Sequence, residues 1–184
     1  MADQSWTLTP SDDATLEIRT GVTGKAATMG HRLTIEVSRW HAVVEWDGGQ
    51  PTAVELTADL DSIDVVHGEG GITPLLAPEK MVARSNALKT LDAKRFPTVT
   101  FRSDTIDATD TGRRLTGTLE IHGVTHDHVV DLAVTTEDER HHLSMESVVR
   151  QSDFGIKPYS QLLGAMKVVD EVTVAFSATL SDPV

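Results

Sequence analysis

The chain has 184 residues, with 28 acidic and 16 basic side chains, eight histidines and no cysteine. That length suits one domain over residues 1–184 with a core that stands without staples. The net charge of −12 argues against a nucleic-acid backbone or an anionic membrane surface as partner, and the missing cysteines exclude disulfides, thiol nucleophiles and thiolate metal sites.

Trp6 to Pro10 reads as an extended lead-in, and Asp12-Asp13 as turn residues before a strand. Ala14, Leu16 and Ile18 then alternate with polar neighbours, the period of a half-buried strand. The glycines of Thr20 to His31 bracket a turn or a single helical turn. Alternation returns at Leu33, Ile35 and Val37, and again at Trp40, Ala42, Val44 and Trp46. Asp47-Gly48-Gly49-Gln50-Pro51 is a turn signal. Val54, Leu56, Ala58 and Leu60 share a face, and Ile63 to Val66 extend the sheet before a Gly- and Pro-rich loop from His67.

A short amphipathic helix is predicted over Pro78 to Leu91, with proline in its first turn where a missing N–H costs least. The helical stretch is expected to break at Phe96-Pro97, because proline pushes the preceding residue out of the α region. Strands follow at Thr98 to Ser103, Arg113 to Ile121, Val129 to Thr135 and Leu143 to Val149. Gln151 to Met166 form a long connection, and Val172, Val174, Phe176, Ala178 and Leu180 make the clearest row of all.

These elements predict an all-β fold: an antiparallel barrel of about eight strands with one or two short helices, a β-sandwich being the alternative. Closure has a physical motive, since it removes unpaired strand edges. A barrel of about eight strands is either just filled by side chains or holds one small ligand. Aromatics make up only 4% of the chain and the inward rows are mostly Val, Leu, Ile and Ala, so bulky filler is scarce.

The chain resembles the YceI-like polyisoprenoid-binding family along most of its length. The likeness rests on Trp6-Thr7-Leu8, on Arg84…Leu88…Phe96-Pro97-Thr98-Val99-Thr100-Phe101 and on Leu115 to Thr125 (LTGTLEIHGVT). It continues in Arg150-Gln151-Ser152-Asp153-Phe154-Gly155-Ile156 and Asp170 to Val174. It implies an extended lipocalin-like barrel enclosing a polyisoprenoid, a prenylated quinone or a fatty acyl derivative, with no catalytic chemistry and no cofactor beyond that lipid. Two positions depart from the family pattern. Arg84-Ser85-Asn86-Ala87-Leu88 stands where relatives carry an Arg-Asp…His-Leu run, and Gly30-His31 where they carry Gly and an aromatic.

On this reading Arg84, Asn86, Arg150 and His31 are candidates for the tunnel mouth, and Met29, Met145 and Met166 for an adaptable wall. Leu16, Ile18, Leu56, Leu88, Phe101, Leu119, Leu132, Phe154, Tyr159, Leu162, Leu163, Val174 and Phe176 are further ligand-binding candidates. Two other functions stay open. His122, His126 and His128, with His141 or His142 across a turn, suggest a metal-dependent enzyme, although their spacing matches no standard zinc signature. A packed barrel acting through its acidic outer face is the other. No apolar run approaches the roughly 20 residues of a membrane helix, and the first residues lack the basic start and apolar core of a secretory signal. A cytoplasmic protein without stable membrane insertion is therefore expected, its pairing into a homodimer left open.

Overall fold

A computed structural model describes residues 4–11 and 13–181; the first three residues, Asp12 and the last three lie outside them, and so does the turn role expected of Asp12. The alternating segments form one antiparallel sheet. Its strand order is β1 (Gln4–Leu8), β5 (Trp40–Asp47), β6 (Gln50–Asp59), β8 (Thr98–Thr109), β9 (Gly112–Ile121), β10 (Val124–Glu137), β11 (Arg140–Arg150), β14 (Glu171–Leu180), β2 (Ala14–Arg19), β4 (His31–Val37) and β7 (Ile63–Gly70). A second small sheet has the order β12 (Ser160–Gln161), β13 (Met166–Val168), β3 (Val22–Thr23). The long connection after Gln151 thus carries two short strands of its own. Among the described residues the one α-helix is α1 (Ala77–Thr90).

The all-β class is as expected; the strand count is higher because long segments bend. β4 and β5 are one stretch of chain broken at Ser38–Arg39, and β6 and β7 are another broken at Leu60–Ser62. The two stay partnered across the bend, Val37 opposite Ile63 and Trp40 opposite Ala58. Ser62, only 5% exposed, fixes the corner: its hydroxyl donates to the Asp59 carbonyl at 2.7 Å and accepts from the Arg39 N–H at 2.9 Å. Register shifts at Thr34/Ile35, Glu45/Trp46 and Ser103/Thr105 add local twist. The outcome is a curled half-barrel.

Closure is incomplete, since β1 and β7 remain edge strands. The β7 edge is covered instead of paired. Lys80 and Arg84, one turn apart on α1, donate to backbone carbonyls there: Lys80 Nζ to Val66 at 2.8 Å, Arg84 Nε to Ile63 at 2.6 Å and Arg84 Nη2 to Asp61 at 2.5 Å. Two cations thus satisfy acceptors that a neighbouring strand would otherwise take.

The helix stops earlier than the proline predicts. Asp92 adopts a left-handed φ of 47°, its N–H donates to the Lys89 carbonyl, and the Ala93 N–H reaches back to Leu88. That pair of bonds is a Schellman closure, which ends the helix well before Pro97 acts. Nor is α1 amphipathic in the usual sense. Ala83, Ala87 and Leu88 pack on the core while Met81 and Val82 stand exposed at 72% and 59%.

Candidate functional site

Inward side chains from all eleven strands of the main sheet line a cavity of about 730 Å³. Buried residues flank it in two groups. Leu16, Ile35, Val37, Trp40, Ile63 and Leu143 belong to the larger; Leu119, Val149, Ile156 and Phe154, the last residue of the helical turn Gln151–Phe154, form the smaller. Rings on the wall meet their neighbours edge-on, Phe176 with the buried Trp40 at 5.7 Å and Phe101 with His128 at 6.2 Å between ring centroids. They lie along the wall and leave the middle open.

Of the residues singled out from sequence, Leu16, Ile18, Leu56, Phe101, Leu119, Leu132, Phe154, Val174 and Phe176 line this cavity. So do Met29, Met145 and Met166, and at the helix end His31, Asn86 and Tyr159. Tyr159 ties that end together. Its hydroxyl accepts from Asn86 Nδ2 at 3.0 Å and from Gln161 Nε2 at 2.7 Å, joining α1 to the small sheet. His31 Nε2 bonds the Thr73 carbonyl at 2.8 Å, so that nitrogen is already engaged. Gly30 lets the chain pass close beside it: a Cβ there would stand 2.8 Å from the Met166 sulfur and 2.9 Å from Val22, so those side chains would have to shift.

Five candidates stand elsewhere. Arg84 is held by the carbonyls of Asp61, in the turn before β7, and Ile63, at its start. Arg150 pairs with Glu171 at 2.9 Å on the outer face. Leu88 packs against the larger buried group but does not reach the cavity. Leu162 and Leu163 occupy a tight turn with φ of 52° and 53°, which throws both side chains outward; Leu163 is fully exposed. The physical cause is common to the last two: a turn between adjacent short strands has no inward side.

The histidines do not converge on a metal. His126 Nε2 bonds the Asp153 carbonyl at 2.8 Å, His122 Nδ1 the Phe154 carbonyl at 3.3 Å, and His128 Nε2 the Ser147 hydroxyl at 2.7 Å. Among the described residues no group of three His, Asp or Glu side chains is placed to hold an ion. His128 is the member inside the cavity, and burial pushes its imidazole below the ordinary value.

Sequence reasoning left out Trp6, Trp46, Arg113, Ser147 and Gln151, all of which line the cavity. Parity was the available signal. Arg113 shares the row of Leu115, Leu119 and Ile121, and Ser147 that of Leu143, Met145 and Val149. A polar residue on an apolar row faces the interior with its neighbours.

The YceI-like domain model matches residues 6–180. Among solved structures, the fold is similar to that of BcnA from Burkholderia cenocepacia: TM-score 0.66, 17% identity, covering 90% of this chain and 95% of that one. It is also similar to the YceI protein of Campylobacter jejuni, at TM-score 0.58 and 19% identity over 80% of this chain and 84% of that one. A search of curated proteins returns no match. No described helix is long and apolar enough to cross a membrane.

Proposed function

Since this chain belongs to the YceI-like family, we propose that it binds, carries or stores one long apolar molecule inside the curled sheet: a polyisoprenoid, a prenylated quinone or a fatty acyl derivative. The observation that carries the reading is the cavity of about 730 Å³, walled by Val, Leu, Ile, Met and Phe side chains from nearly every strand. Its size falls within the roughly 300–1,000 Å³ of small-molecule sites. Such a wall needs few polar contacts. Each buried methylene contributes about 0.8 kcal/mol, so roughly ten of them supply about 8 kcal/mol before the cost of association.

The side chains that line the cavity are the binding residues on this reading, Asn86, Tyr159 and His31 among them at the helix end. No residue is assigned a catalytic role. Organic extraction of the purified protein followed by mass spectrometry should release a hydrophobic molecule. Delipidated protein should then take up polyprenyl or acyl probes saturably, one per chain. Protein that is empty as purified and shows no saturable uptake overturns the proposal.

A further inference from the structure

Two cations line the cavity among the described residues: Lys167 of β13, exposed on the small sheet, and one arginine, the half-buried Arg113 at the start of β9. It sits at the end remote from α1, where the β5–β6 hairpin brings Trp46 and Gln50 near it. Its hydrogen-bond partner among the described residues is neutral: Nη2 donates to Gln50 Oε1 at 3.1 Å. That is unusual for this chain. Arg19, Arg32, Arg39, Arg84, Arg102, Arg114, Arg140 and Arg150 all stand within 4 Å of a carboxylate, and Arg95 lies over the Phe96 ring instead. With 28 acidic residues available, an arginine on the cavity wall without one is a cation still open to a partner.

The surroundings sharpen this. Arg113 and Leu132 also line a smaller outer hollow of about 260 Å³, shared with Thr109, Thr111, Arg114 and Asp131. The carboxylate in that hollow is already engaged. Arg114 Nε meets Asp131 Oδ1 at 2.7 Å and Arg114 Nη2 meets Oδ2 at 3.0 Å, which holds the Asp131 carboxyl below the usual range. Asp107 lies opposite Arg114 in the ladder, and Arg113 opposite Ala108 and Leu132. The residues of this hollow therefore keep one uncompensated positive charge, that of Arg113, which with Leu132 lines the hollow and the apolar cavity alike. An anion bound there would meet a guanidinium without being fully stripped of water.

From this geometry we infer that the ligand carries an anionic terminus, a carboxylate or a phosphate monoester, held by Arg113, with its apolar chain running from the β8–β9 hairpin toward α1. The inference rests on the cavity being a lipid site. It excludes a purely neutral isoprenoid as the preferred cargo and fixes the direction in which the chain lies. A guanidinium suits either anion, because its planar fork offers parallel N–H donors to two oxygens.

The test uses matched pairs on delipidated full-length protein: hexadecanoic acid against 1-hexadecanol, and geranylgeranyl monophosphate against geranylgeraniol, each followed by calorimetry. Wild type should bind at least one anion about 10- to 100-fold more tightly than its alcohol, the range for hydrogen bonds to a charged group. Which pair shows the larger ratio tells carboxylate from phosphate. Arg113→Gln should abolish the preference while leaving the alcohols unchanged, and Arg113→Lys should retain part of it. A melting temperature equal to wild type shows that the variant is folded. Alcohols that bind as well as their anions, or a preference that survives in Arg113→Gln, overturn the inference and leave the lipid site standing. Failure of all four probes to bind overturns both.

Discussion

Filling the cavity should weaken ligand binding without unfolding the protein, and Leu56 is the place to do it. Leu56 lies in the middle of β6, opposite Ala42 on one side and Phe101 on the other, with its side chain on the cavity wall. In a solid core, Leu56→Trp would force neighbours off their rotamers and cost about 1–3 kcal/mol. Facing a void of about 730 Å³, the indole has somewhere to go, so the cost should stay below about 1 kcal/mol. The ligand loses instead. An indole that displaces roughly four methylenes removes about 3 kcal/mol of burial, about 200-fold in Kd. Chemical denaturation gives the first quantity and titration with a fluorescent acyl probe the second. A variant that is strongly destabilised yet binds with wild-type affinity would refute the reasoning, because it would mean that Leu56 faces packed side chains and the ligand sits elsewhere.

Arg84→Ala strips two donors from the carbonyls of Asp61 and Ile63, and should cost about 1–3 kcal/mol of stability with faster hydrogen exchange in β7 and unchanged affinity for acyl probes; an affinity loss in a stably folded variant would place Arg84 at the ligand after all. His128 carries a pH dependence. Its folded value lies below the ordinary imidazole value of about 6.5, so between that and its lowered value the unfolded chain binds a proton the folded chain does not. Stability should therefore fall as pH drops from 7.5 to 5.5, and His128→Asn should flatten that slope; parallel slopes for the two proteins would count against it. Tyr159→Phe removes the shared acceptor of Asn86 and Gln161, loosening α1 from the small sheet. Ligand release measured by stopped flow should quicken several-fold with little change in melting temperature, and an unchanged release rate would separate that bond from ligand exchange.

What the sequence disclosed depended on whether alternation alone settles a side chain's direction. For Leu16 and Ile18, Leu56 and Ala58, or Val172 to Phe176, it does, because consecutive strand residues must point to opposite faces and water takes only one of them. The same rule, which reads Ser147 into the row of Leu143, Met145 and Val149, would have found Arg113 had its row been followed past the apolar residues. It is silent where the chain leaves the sheet plane. Leu162 and Leu163 look inward by hydropathy and are turned outward by left-handed backbone. Arg84 has the same signature in sequence whether it faces a ligand or the carbonyls of a bare strand edge. The bend at Ser38–Arg39 carries no breaker residue; it depends on Ser62, more than twenty residues later, whose hydroxyl meets the chain only once the sheet has curled. Asp92 ends the helix by entering a left-handed conformation open to aspartate among few residues, a choice that composition does not announce.

The open edges and the hollow interior have one origin. Bulges and the Ser62 corner curl the sheet tightly enough that its inner face turns toward itself, while the inner rows carry mainly Val, Leu, Ile and Ala. Side chains that short cannot bridge to the opposite wall, and the rings of Phe101 and Phe176 meet His128 and the buried Trp40 edge-on. A sheet of this length would normally protect its edges by closing, but full closure would bring opposing rows together and squeeze out the space. Here β7 is instead capped by Lys80 and Arg84 through polar contacts that demand no inward packing, and α1 buries no residue completely. The fold therefore satisfies its backbone at the edge and leaves its apolar interior unfinished. An apolar guest completes that interior, so binding energy and folding energy are drawn from the same surface.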